Sequence, residues 1–281
     1  MAPPLFRALL HLPDQYKLPL FAERRHGALV ALSVRCPAEA ADFLTREFYS
    51  EHLSLEMRMQ ALRTVNAMAE ELAAPPPKEY PEPAPSAYED RVEAAALAQR
   101  RGEVKTPMVK VGHSTRYFNS GPRKAPEAAP SLLGAVAPRF FFPLMGRYDD
   151  PANTFKLLTE DCFLLEALLH TLAAILRGVA AYRHCRPMAR ALFEFAWVLR
   201  MHDESAVRRG ALISLCAVGR TVLPAILISE YEAALPELQE WLRKSAENDP
   251  DDGCRQLSAA CHAIYGNAVR SQMPSLSDPF E

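Results

Sequence analysis

Apolar positions recur at three- and four-residue steps over two stretches of this chain, and the pattern lapses between them. In the clearest case Leu55, Met59, Leu62, Val65, Ala69 and Leu72 form one stripe, while Glu56, Gln60, Arg63 and Glu70 fall off it. That period marks an amphipathic helix, and Ser54 ahead of it can accept the first free backbone N–H groups. The spacing therefore predicts a helix over 55–73, preceded by another over 38–52 after Cys36-Pro37. Farther on, 157–184 reads as one long buried helix that starts near Thr159. Met188, Leu192, Phe195 and Leu199 then share one face of a helix after Pro187. Val207, Ala211, Leu215, Val218 and Val222 share a face of the next. Pro224 and Pro236 punctuate the residues beyond it, 256–269 ends the pattern, and 271–281 is expected to fray.

The pattern fails where proline concentrates. Residues 74–138 hold 11 of the 24 prolines, and a helix or central strand cannot lose that many N–H donors. A segment of this kind buries too little apolar surface to offset its ordering entropy, so it is expected to be a largely disordered Pro-rich insertion. The expected layout is a helical block over 1–73, the insertion over 74–138, a second helical block over 139–270 and a tail. At the entrance to the second block stands "RFFFPLMGRYDDP". Burying three phenylalanine rings is worth about 1.5–3 kcal/mol each, so the run should plug the end of that core. Consecutive residues cannot all face one way, however, so at least one ring of Phe140, Phe141 and Phe142 must find a separate home, and exposure of one or two of them at an interface stays open as the alternative. Pro143 should set the chain direction, with a helix starting near Leu144.

A weak internal repeat sits on the helices. "MRMQA" (57–61), "VRRGA" (207–211) and "CRQLS" (254–258) share an apolar residue, an arginine and, three residues after the arginine, a small residue. Arg208 and Arg255 lie 47 residues apart, at the upper end of the periods of HEAT-type repeats. Both follow acidic turns, "HDES" and "NDPDDG". The expected fold class is all-α, built from HEAT-like helical repeats (an α-solenoid) in two blocks.

Composition narrows the chemistry. The net charge is −2, so no global field draws the chain to DNA or to anionic lipid. The six cysteines form no C-x-x-C and sit in helical patterns, as reduced core thiols do. The N-terminus, broken by Pro13 and Pro19, is unlike a secretory leader. The longest apolar run, 163–176, is too short to span a membrane and carries Glu166 and His170. No nucleotide loop, nucleophile elbow or metal spacing occurs; an EF-hand begun at Asp249 would place Cys254 where glycine is needed and Ala260 where the bidentate glutamate belongs. No enzyme and no cofactor are expected. Seven basic residues (Arg100, Arg101, Lys105, Lys110, Arg116, Arg123 and Lys124) against one acid, Glu103, fall within 99–125. They keep open an alternative, contact with nucleic acid through phosphates.

"RALLHL" (7–12), "ALVALSVRCP" (28–37), "DFLTREFYSEHLSLEMRMQAL" (42–62) and above all "FFFPLMGRYD" (140–149) resemble the telomere length regulation protein family. "FEFAWVLRMH", "VRRGALISL" and "AENDPDDGCRQL" extend the resemblance in order. It implies a helical-repeat scaffold in a co-chaperone complex with two Tel-interacting proteins, usually called TTT. That complex supports the stability of phosphatidylinositol-kinase-like protein kinases with the Hsp90 machinery, in cytoplasm and nucleus and at telomeres. Residues up to about Ala73 resemble the end of the family's named domain, and Phe140 onward its C-terminal helical domain. Members of the family are far longer, and their phosphorylated acidic serine motif has no counterpart here, since Ser277-Asp278 is too sparse. Direct docking of the chaperone adaptor by this stretch is therefore not implied. Partner contacts are expected at arginines near the turns, Arg147, Arg200 and Arg208, and at any exposed ring of Phe140–Phe142.

Overall fold

Local chemistry decides where each helix begins. The computed structural model describes residues 2–74, 132–180 and 185–272. α1 (Ala2–Leu10) and α2 (Phe21–Arg35) are joined through a connection in which Lys17 and Leu20 take φ of 49° and 61°. Pro37 opens α3 (Pro37–Phe48) at a position whose N–H has no partner in any helix. Ser54 caps α4 (Leu55–Ala73), accepting the Met57 N–H at 3.3 Å. After the undescribed 75–131 come α5 (Leu132–Met145), α6 (Cys162–Gly178), α7 (Cys185–Leu199), α8 (Ser205–Thr221), the short α9 (Pro224–Tyr231), α10 (Leu235–Asn248) and α11 (Asp252–Gln272). Among the described residues every element is a helix. The expectation of disorder over most of 74–138 falls outside those residues.

Three boundaries differ from the sequence pattern. α5 starts at Leu132 and runs through both Pro138 and Pro143, where a linker and then a helix start near Leu144 were expected. Each proline removes one helical hydrogen bond. Burial of Leu133, Ala137, Phe140, Phe141 and Leu144 along one side of the helix outweighs that loss. The long helix expected over 157–184 is confined to Cys162–Gly178, because Asp161 accepts the Lys156 N–H at 2.9 Å and holds the preceding residues in turns. α7 begins at Cys185, ahead of Pro187, which lies in its first turn, where its missing donor is harmless.

The helices pack as pairs. α1 lies against α2, α3 against α4, α5 against α6, α7 against α8 and α10 against α11. The second helices then stack in the order α2, α4, α6, α8, α11, and the first helices α1, α3 and α5 follow one another in a second layer. Helices on both sides of 75–131 thus share one unit and one core. α6 is its centre, with Leu164, Leu165, Leu168, Leu169 and Leu172 fully buried between α4 and α8. The α6–α8 approach needs a glycine: a Cβ on Gly210 would stand 2.9 Å from Leu169 Cδ1 and 3.1 Å from its Cβ. Among the described residues no helix is long and apolar enough to cross a membrane.

Candidate partner-binding surface

The turns inside the helix pairs line up along one edge of the stack, and arginines hold them. Arg58, Arg208 and Arg255 each occupy the fourth position of a second helix, α4, α8 or α11. Each reaches back to carbonyls of the turn just before its helix. Arg58 donates to Phe48 O and, at 2.7 Å, to Ser50 O. Arg208 Nη1 donates to His202 O at 2.8 Å and Asp203 O at 2.7 Å. Arg255 Nη1 donates to Asp249 O at 2.7 Å. The small residues of the same motif, Ala61, Ala211 and Ser258, are buried between helices. α6 carries Leu165 at this position, and His202 of the following pair meets Leu158 O instead, at 3.0 Å.

Two of these arginines also reach the next pair. Arg208 grips the Asp249 carboxylate with Nε and Nη2, both at 3.0 Å, and that double hydrogen bond holds its guanidinium above its ordinary pKa. Arg58 Nη2 lies 3.4 Å from Thr154 Oγ1, with its guanidinium 4.0 Å over the Phe155 ring. Arg58 is only 2% exposed, and burial pulls its pKa below the ordinary value. Arg209, beside Arg208, joins Glu166 at 3.6 Å to Asp251 at 2.9 Å.

The residues expected at a partner surface divide sharply. Phe140 and Phe141 are completely buried in the core. Phe142 is the outward ring, 39% exposed and edge-on to Phe141 at 5.4 Å. Arg147 lies 5.0 Å over the Tyr49 ring and 3.8 Å from Asp150. Arg208 is committed to the intramolecular contacts above. The basic stretch Arg100, Arg101, Lys105, Lys110, Arg116, Arg123 and Lys124 lies outside the described residues.

Arg200 belongs to a different setting. Its guanidinium rests 3.7 Å over the Trp197 ring, donates to Trp197 O at 2.7 Å and meets Glu237 at 3.2 Å. Trp241 of α10 stands edge-on to Trp197 at 6.2 Å, so the two tryptophans of the chain meet here. Both are half-buried, and Val198 and Met201 beside them are 70% and 69% exposed. A rigid aromatic floor with a pre-placed cation and open apolar neighbours is the kind of patch that carries binding energy at protein interfaces. Sequence reading picks Arg200 from this group but misses both tryptophans. The i, i+3 spacing of Trp197 and Arg200 is the available signal.

A second surface escapes the sequence altogether. A cleft of about 710 Å³ runs between α2, α4 and α6. Met59 and Phe163, the latter 44% exposed, form its apolar part; His26, Arg63, His170 and Arg177 supply polar groups. The His26 ring contacts Gln60 at 2.8 Å. Burial pushes the His170 pKa down, against the pull of Glu166. These residues come from three helices far apart in sequence, and only the stacking brings them together.

Comparison with known proteins places this architecture. The family model described as "Telomere length regulation protein" matches residues 1–69. The human "Telomere length regulation protein TEL2 homolog" is 37% identical over 281 residues, 97% of this chain and 34% of the relative. The protein of the same name from Xenopus tropicalis is 35% identical over 260 residues, 90% of this chain and 31% of the relative. Nearly the whole chain is similar to the C-terminal part of telomere length regulation proteins. The chain spans about a third of the length of these curated relatives. No solved structure matches it. The family-model match ends inside α4, whereas the likeness to the relatives covers nearly all of this chain, the Arg200 patch and the Arg208 turn included.

Proposed function

We propose that this chain is a non-enzymatic, HEAT-like α-solenoid scaffold that serves telomere length regulation by holding partner proteins. The partners are the two Tel-interacting proteins of the TTT co-chaperone complex. Through them the chain supports the stability of phosphatidylinositol-kinase-like protein kinases alongside the Hsp90 machinery, in cytoplasm and nucleus and at telomeres. One observation carries this reading: an ordered Arg200–Trp197–Trp241 patch, flanked by exposed Val198 and Met201, on a stack of helix pairs with an arginine in the same place in three of them. The names of the relatives supply the biological context, telomere length regulation. Repetition of one helix pair makes a long surface without requiring a catalytic cleft.

The test is capture of the two Tel-interacting proteins by the purified chain at low and at physiological salt, with telomeric DNA as a parallel bait. Salt-resistant protein capture is expected. Replacing Val198 and Met201 together with serine should weaken it about tenfold or more, the loss of roughly 1.4 kcal/mol of contact energy, and leave the helical content unchanged. Undiminished capture by that variant moves the contact away from the patch. Salt-sensitive DNA capture without the proteins would transfer the function to the basic residues 99–125.

A further inference from the structure

The patch and the cleft leave the cysteines unused, and two of these stand together. Cys216 on α8 and Cys261 on α11 stand opposite each other where the two helices pack together, close enough for each thiol to influence the other's proton. The crossing is close and fixed. A Cβ on Gly219 would stand 2.9 Å from Ile264 Cγ2 and 3.0 Å from Tyr265 Cε2, so this glycine admits the approach. The buried Tyr265 hydroxyl donates to Leu215 O at 3.0 Å. Nearer the start of both helices, Arg208 with Asp249 and Arg209 with Asp251 set the same register. The two cysteines lie between these ties, about one turn before the Gly219–Tyr265 contact, and neither helix can slide them apart.

Access and reactivity are divided between them. Cys216 is partly exposed, whereas Cys261 is completely buried. The neighbouring Cys261 holds the Cys216 thiol below its ordinary pKa, helped by the Arg220 cation one turn on and opposed by burial. The neighbouring Cys216 and burial push Cys261 up. Burial also raises Cys162, Cys185 and Cys254, the last to about 12. Thiolate character and access therefore coincide at Cys216, with a second thiol in reach behind it, the arrangement of an oxidisable cysteine and its resolving partner.

We propose that Cys216 and Cys261 form an oxidant-sensitive dithiol site, which peroxide converts to a disulfide that fastens α8 to α11. The Cys216 thiolate attacks one oxygen of hydrogen peroxide. An S–O bond forms, the O–O bond breaks, and the departing hydroxide takes a proton to leave as water. Cys261 sulfur then attacks the sulfur of the Cys216 sulfenic acid. The S–S bond forms, the S–O bond breaks, and the leaving hydroxide takes the Cys261 proton as a second water. Two thiols and one peroxide give one disulfide and two waters. A thiol reductant reverses the link. The disulfide would lock the last two helix pairs in the register their arginines already favour.

The experiment treats the full chain with hydrogen peroxide and maps linked peptides by mass spectrometry without reduction. The expected result is a Cys216–Cys261 peptide as the principal link, with a rise in unfolding temperature that dithiothreitol abolishes. Cys261→Ser should leave a sulfenic acid on Cys216 that dimedone captures, and Cys36→Ser should link as the wild type does. Cys216→Ser, at the partly exposed position, should fold normally and neither link nor shift. Links between other cysteines, sulfinic acid on Cys216 without a link, or an unchanged temperature shift in Cys216→Ser would each overturn the proposal. Because the readout is a covalent bond, it stands or falls independently of partner capture.

Discussion

Replacing Arg58 with methionine tests whether a buried cation at the turn edge stabilises this fold. Methionine keeps most of the side-chain length and apolar stem, so the change isolates the guanidinium. Lost with it are two hydrogen bonds to the carbonyls of Phe48 and Ser50, of the charged-donor kind worth about 1.5–3 kcal/mol each. The stack on Phe155 at 4.0 Å adds about 0.5–2 kcal/mol. Desolvation of the cation, visible in its lowered pKa, opposes both. Leaving two neutral carbonyls without their donor costs about 1–3 kcal/mol each, so the expected loss is about 2–5 kcal/mol once the relief of desolvation is set against it. Equilibrium unfolding in urea, followed by far-ultraviolet circular dichroism, reads it directly. Arg58→Lys should recover less than half, because an ammonium cannot span two carbonyls while lying flat on a ring. A methionine variant as stable as the wild type would refute the reasoning. It would mean that the cost of burying the charge equals everything the turn returns.

Other expectations rest on the same contacts. Phe141→Ala should lose about 3–5 kcal/mol of stability, the cost of truncating a core phenylalanine, whereas Phe142→Ala should lose less than half as much because its ring is 39% exposed; paired urea titrations separate them. His170 has a folded pKa below its ordinary 6.5, so the unfolded chain takes up its proton first. Its contribution to stability is therefore complete above about pH 6.5 and declines as the pH falls below that value. His170→Gln should flatten that part of a stability-versus-pH curve.

Much of the fold is legible in the sequence because its rules are local. The Ser54 cap, the stripes of α4, α7 and α8, and the placement of Arg208 and Arg255 at their turns depend on residues a few positions apart. The repeat motif also contains Arg58, yet nothing local says that this arginine is buried. Its environment is completed by Thr154 and Phe155, nearly a hundred positions away. α5 misleads for the opposite reason. Its two prolines are strong local stop signals, and the decisive term is burial of Phe140 and Phe141 against helices from both ends of the chain. The cleft is illegible in principle at this level. His26, Arg63 and Phe163 become neighbours only after α2, α4 and α6 stack.

The turn arginines have a mechanical consequence. Arg58, Arg208 and Arg255 all lie on the edge where each helix pair doubles back, and Arg208 and Arg58 extend from their own turn to the next. Apolar packing between helices yields a little to sliding, but a forked guanidinium with fixed acceptors does not. A stack bound more stiffly along one edge flexes like a book held at its spine, its leaves spreading at the free side. Strain from a docked partner would then be converted into fanning of the pairs about that edge, a single soft direction of motion rather than a general loosening.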